Sequence, residues 1–188
     1  ARELVVPLID KGVRVLGPAS PEVLKAKALL ANIAEFGMTL ESCEEALRLS
    51  REVVKAIDEG VAVEREFELQ ARVELAGALM TRHAMGGAGP GTEPLLQESM
   101  ELLETILPIV EEEFGNLHPI GVDVRSALAS GYFLTGRIFE SVPLSEQTYA
   151  DAKKVFGHGH PKTAELAATL GTFLFYTGNP DAESTLSE

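Results

Sequence analysis

The chain has 188 residues, 45% of them hydrophobic, with no Trp and 6% aromatics, a composition too apolar for disorder and suited to close packing of Ala- and Leu-rich helices. Its 16 Lys and Arg stand against 29 Asp and Glu, a net charge of -13, which repels phosphate backbones and anionic lipid and so argues against nucleic acid and membrane as partners. The single cysteine, Cys43, and the lack of an N-glycosylation sequon fit a reducing, cytoplasmic setting, and no apolar run approaches the roughly 18 residues of a spanning helix.

The chain opens at Ala1, without Met, inside an apolar-periodic segment. Glu3 to Leu16 reads as the second helix of a pair whose first is missing. Pro180-Asp181-Ala182-Glu183 starts a helix that is cut short. Both ends fall within a repeat, and the expectation is a piece of a longer chain. After Leu16 comes Gly17-Pro18-Ala19-Ser20-Pro21, a turn followed by a helix start. From Glu22 to Phe36 the apolar residues Val23, Ala26, Leu30 and Ala34 form one stripe that ends at Gly37. A second helix is predicted from Ser42 to about Asp58, its start marked by Thr39 with Ser42 and its end by Gly60. Helices of this length joined by tight Gly turns make an αα-hairpin.

The next pair reads Glu64 to about His83, a Gly-rich connector from Met85 to Pro94, then Leu95 to Phe114. Pro108 lies inside that helix by pattern, and a kink or a break near Thr105 is expected. Phe114-Gly115-Asn116-Leu117-His118-Pro119 then repeats the first turn, and Phe156-Gly157-His158-Gly159-His160-Pro161 repeats it again 42 residues later. A fixed period of this size means stacked repeats. Pro119 opens a third pair, with one helix to Gly136 and one over roughly Leu144 to Phe156. Pro161 opens a fourth, with a helix to Gly178. The expected organisation is a single repeat domain: 1–17 the remnant of one repeat, 18–60 a repeat, 61–115 a repeat with a Gly-rich insertion, 116–157 a repeat and 158–188 an incomplete one.

Within the pairs, Leu170-Gly171 with Leu174, Gly178 and Ala182, and Leu128-Ala129 with Tyr132 and Gly136, resemble tetratricopeptide repeats. Leu30-Ala31 with Ala34 and Ala46, and Leu75-Ala76 with Leu79, match the same pattern more loosely. The 42-residue period and the Gly-x-x-His-Pro corner look like the longer variant found in kinesin light chains. Gly17 departs from it, being followed by Ser-Pro rather than His-Pro. The resemblance implies an all-α fold, a right-handed α-α superhelix in which the small residues Ala31, Ala76, Ala129 and Gly171 sit where paired helices cross.

In that family the first helices of successive repeats line a concave groove that holds a peptide or helical segment of a partner. Carried over by register, the groove-facing positions are Lys25, Ala28, Asn32, Glu35 and Phe36, then Gln70, Val73, Met80 and Thr81. Asp123, Ser126, Ser130 and Phe133 follow, then Glu165, Ala168, Thr172, Phe175 and Tyr176. Phe133, Phe175 and Tyr176 read first as core residues, with an anchoring role as the alternative. Asn32 stands where some members hold a peptide's terminal carboxylate. The Lys and Arg that complete such a clamp are missing from the later repeats, so recognition of a chaperone tail is not implied.

Chemical motifs are weak. His118, His158 and His160 read as turn and helix-start residues before a metal site, since no carboxylate or thiolate stands at ligand spacing. Gly86 to Gly91 lacks the Gly-Lys-Ser/Thr ending of a phosphate loop and follows a helix, so it reads as a connector. Cys43 and His83 have no triad partner in the sequence. Glu111-Glu112-Glu113 reads as a solvated face, with a basic ligand as the alternative. The expectation is therefore a non-enzymatic module, without cofactor or metal, that binds a protein or peptide, with basic character as one option. An intramolecular regulatory or scaffold domain of a larger signalling or enzymatic protein is the alternative. Self-association through the cut terminal helices is a further route, because such ends expose apolar faces.

Overall fold

The computed structural model describes residues 2–86 and 91–178. Among them are eight helices and no strand: α1 (Arg2–Leu16), α2 (Pro21–Glu35), α3 (Leu40–Asp58), α4 (Arg65–Met85), α5 (Glu93–Phe114), α6 (Pro119–Leu134), α7 (Ile138–Val155) and α8 (Pro161–Tyr176). The chain divides into two compact units, 1–102 and 103–188, with the boundary inside α5.

The repeated corner is a small device that stops one helix and starts the next. At its head, Gly115 and Gly157 take φ of 83° and 90°, a left-handed backbone that costs a Cβ-bearing residue about 1 kcal/mol. Three residues on, His118 Nδ1 accepts the N–H of Ile120 at 3.3 Å, and His160 Nδ1 accepts that of Lys162 at 3.1 Å. Each ring also stacks on a Phe at the close of the preceding helix, the last residue of α5 in Phe114–His118 at 4.7 Å and the C-cap of α7 in Phe156–His160 at 5.0 Å. Pro119 and Pro161 follow at the first helical position, where a missing N–H costs nothing. In the first copy Ser20 does the capping, its hydroxyl accepting the N–H of Val23 at 3.3 Å. The Ser-Pro departure therefore preserves the cap and gives up the ring stack.

Helix α3 starts on a reciprocal cap, Thr39 and Ser42 each accepting the other's backbone N–H at 3.1 Å. In the first unit, α1 packs on α2, α2 on α3 and α3 on α4, and α2 also meets α4. Leu24, Val53, Val54, Ala71, Leu75 and Leu79 form the core there, while Val5, Leu30, Ala31 and Leu49 seal α1 to its neighbours. In the second unit, α6, α7 and α8 pack in sequence around Val122, Tyr149, Ala152, Leu166, Leu170 and Leu174.

The expected small residues are all buried, with Ala31 2%, Ala76 0% and Ala129 1% exposed and Gly171 likewise inside. At two of them a serine of the paired helix reaches the backbone: Ser99 donates to the Ala76 carbonyl and Ser141 to that of Ala129, each at 2.8 Å. A longer side chain at Ala76 or Ala129 would push those helices apart.

Three expectations need correction. Helix α5 does not break near Thr105 but runs through Pro108, and α7 begins at Ile138 rather than Leu144, with Pro143 inside it. Proline leaves unpaired the carbonyl four residues earlier, here that of Glu104 or Phe139, both exposed and so open to water. Helix α7 also gains from its early start, which brings Ser141 to its bond with Ala129. The connector from Met85 to Pro94 is shorter than expected, since α4 extends to Met85 and α5 starts at Glu93. Residues 87–90 lie outside the described residues, as do Pro180 to Glu183 of the expected last helix.

Candidate functional site

Apart from Phe36, which caps the end of α2, the register-derived residues fall on α2 and α4 in the first unit and on α6 and α8 in the second. On α2, Lys25 pairs with Glu64 and lies 5.8 Å from the centre of the Phe67 ring. Two turns on, Asn32 donates to Glu74 of α4 at 3.1 Å. Glu35 follows one turn later, and its Oε1 is buried without a hydrogen-bond partner among the described residues. Burial first, and the Glu74 charge second, push the Glu35 carboxyl up to about 7. Phe36 is 87% exposed, while Gln70 and Thr81 are half-buried. Ala28, Val73 and Met80 lie in the core.

In the second unit, Asp123 of α6 takes Lys162 of α8 at 3.1 Å, and Lys162 also reaches Glu165 at 3.4 Å. The Lys162 ammonium, partly buried, is held by this carboxylate pair above its ordinary pKa despite the opposing effect of burial. Ser130 and Thr172 turn their hydroxyls back to carbonyls of their own helices, Ser126 at 3.1 Å and Ala168 at 2.8 Å. Their outer surface is thus polar in composition but largely satisfied.

Next to these lies an aromatic shelf. Phe133 of α6 stacks on Phe173 of α8 with centroids 4.3 Å apart and planes 10° from parallel. Tyr176 tilts against Phe133 at 5.7 Å, and Phe175 meets Tyr176 edge-on at 5.9 Å. Phe173 is the core member of this group, at 6% exposed, whereas Phe175 and Tyr176 are each 71% exposed. Spacing alone does not separate these roles. On α8 the inward side is set by Leu166, Leu170, Phe173 and Leu174, which turns Phe175 and Tyr176 to water.

The two histidine corners are spent on capping, as described. His83, 5% exposed, bonds through Nδ1 to the Thr92 carbonyl at 3.0 Å, which ties the end of α4 to the start of α5. Among the described residues no group of three or more His, Cys, Asp and Glu is arranged to hold a metal, and no helix is long and apolar enough to cross a membrane.

Sequence reasoning missed Arg125, 2% exposed on α6. It donates to the Asn116 carbonyl at 2.8 Å and to Glu111 at 3.2 Å, and its Nη2 stands 3.5 Å from Asp151. The group locks the corner between α5 and α6 to α7. An arginine inside an otherwise apolar helix pattern was the available signal.

Residues 122–162 match the tetratricopeptide repeat family. Among solved structures, the chain is similar to the nearly identical TPR-like repeats of a putative kinesin light chain from Podosopora anserina, at 25% identity over 89% of this chain and 73% of that one, with a TM-score of 0.68. A second structure from the same fungus gives 24% identity with the same coverage and TM-score. BtubC (BKLC) from P. vanneervenii shares the fold at 14% identity, covering 99% of this chain and 70% of that one, with a TM-score of 0.70. No curated protein sequence matches the chain significantly. Tetratricopeptide repeats generally mediate contacts between proteins, and scaffolds of this kind are typically not enzymes.

Proposed function

We propose that this chain, a protein of kinesin-light-chain-like tetratricopeptide repeats, is a non-catalytic interaction module that holds a peptide or helical segment of a partner against the first helices of its repeats. The observation that carries the reading is the aromatic shelf of α6 and α8. Two large rings, Phe175 and Tyr176, stand in water at 71% exposure beside Phe133, which is braced by its stack on buried Phe173. Exposed rings held on a rigid support are the usual anchors of a protein interface, because they bury much area at little entropic cost. Recognition by groove and anchor follows the helix-in-groove mode, and a cytoplasmic site of action suits the free thiol of Cys43.

A random-peptide display library panned against the whole chain tests this. Selected peptides should lose at least tenfold in affinity against Phe175→Ala and Tyr176→Ala, with helical circular dichroism unchanged. Peptides that bind both variants as well as the parent would remove the shelf from the groove and sink the reading.

A second reading, pairing with another copy, draws on α1, where Leu4, Leu8 and Val15 are 72%, 63% and 71% exposed and share one helical face. Sedimentation equilibrium decides it: Leu8→Ser should dissociate any dimer formed this way, and a parent chain that stays monomeric at all concentrations would reject it.

A further inference from the structure

Glu35 closes α2 at the point where α2 meets α4. Its Oε1 is buried and accepts no hydrogen bond among the described residues. Gly77 of α4 lies opposite it, a Cβ placed there standing at an ordinary contact distance of 4.0 Å from that oxygen. One helical turn back on α4 is Glu74, which Asn32 of α2 holds by a 3.1 Å hydrogen bond. Two carboxylates thus approach each other across one helix contact. The lysines of α2 and two arginines of α4 are engaged elsewhere. Lys25 pairs with Glu64 and Lys27 with Glu52. Arg72 takes Asp58 and Glu68, and Arg82 reaches over to Glu44 of α3. None of these is an ion pair of Glu35.

We infer that the α2–α4 contact is a proton-operated joint, in which Glu35 takes up a proton on folding, is thereby relieved of its repulsion from Glu74, and loosens the contact when that proton leaves. A buried carboxylate oxygen without a donor is costly when charged and tolerable when neutral. The same burial, reinforced by Glu74, moves the Glu35 carboxyl to about 7. Because this value lies above that of the unfolded chain, the folded state holds the extra proton between the ordinary glutamate range and neutrality. Its contribution is complete below that window and is lost as pH rises through about 7. The joint concerns the chain without any partner, so it stands or falls apart from the groove reading.

The test is a carbon-13 titration of the glutamate carboxyls in the full chain, with Glu35→Gln to assign the signal and Glu74→Gln to shift it. One carboxyl should titrate near 7, vanish in Glu35→Gln, and move down in Glu74→Gln while staying above the ordinary value, because burial is the larger cause. In parallel, the Tm of the parent should fall from about pH 5 to about pH 8 by more than that of Glu35→Gln. A Glu35 midpoint at the ordinary glutamate value overturns the inference, as do parent and Glu35→Gln melting curves with the same pH dependence. Should Glu35→Gln fail to fold, the direction of the shift in Glu74→Gln decides.

Discussion

The Ser141 hydroxyl donates to the carbonyl of Ala129 at 2.8 Å across the α6–α7 contact, and Ser99 meets Ala76 in the same way between α4 and α5. Each pair joins a small residue of one helix to a serine of the next. The absence of side-chain bulk is what allows the approach, and the hydroxyl then fixes it. Ala129→Leu should therefore cost about 1–3 kcal/mol through overpacking, and Ser141→Ala about 1 kcal/mol through the lost bond. Urea denaturation of the two single variants and the double variant checks this. Strong coupling is expected, because Ala129→Leu already destroys the geometry of the bond.

The corners predict an ordered series. Gly157→Ala forces a Cβ onto a backbone at φ 90° and should cost about 1 kcal/mol or more. His160→Ala removes the acceptor for Lys162 and should cost about 0.5–2 kcal/mol. His160→Ser should recover most of that loss, since Ser20 already caps α2 in the same setting. A shortfall in His160→Ser would measure the Phe156–His160 stack alone. Thermal denaturation of the three variants gives the order.

The acid side of the stability curve should be governed by pairs such as Lys27–Glu52, at 3.0 Å. Burial raises the Glu52 carboxyl, yet its bonds to Lys27 and Arg48 outweigh that and leave it below the ordinary value. A lowered folded pKa adds stability that is present above the unfolded glutamate range and lost as pH falls through the folded value, the reverse of Glu35. Since Glu52 is part exposed, the expected size is under about 1 kcal/mol. Melting curves at about pH 3 and about pH 6 should lie closer together in Glu52→Gln than in the parent.

Much of this architecture is written locally. Gly115, His118 and Pro119 announce a corner because each is required by backbone geometry at its own position, and Ala31, Ala76 and Ala129 announce helix crossings because only small residues fit there. What escapes a reading of the chain depends on which face an element turns inward. The expected start near Leu144 falls just after Pro143, but an exposed turn can absorb a proline, and α7 begins before it. Phe173, Phe175 and Tyr176 differ by one or two positions, which suffices to send the first into the core and the others to solvent. The pairing of Glu35 with Glu74 has no signature at all in one dimension, since it joins helices separated by α3.

Arg125 is the position where that limit carries the largest energy. Its guanidinium is 2% exposed and stands between Glu111, Asp151 and the Asn116 carbonyl, while Asp151, at 7% exposed, also binds Lys154 at 2.8 Å. Removing the cation leaves the buried Asp151 carboxylate with Lys154 alone and the corner carbonyl without its partner. Arg125→Ala should cost about 3–5 kcal/mol, as does breaking other buried pairs. Arg125→Met on its own keeps much of the volume and should fare little better, because Asp151 still lacks the guanidinium. Combined with Asp151→Leu it should recover a good part of the loss, since apolar groups in place of a buried pair are often neutral or stabilising. Urea midpoints for Arg125→Met and for the double variant decide between the two causes: recovery assigns the cost to the stranded carboxylate, and no recovery assigns it to the bond that fixes the Asn116 corner.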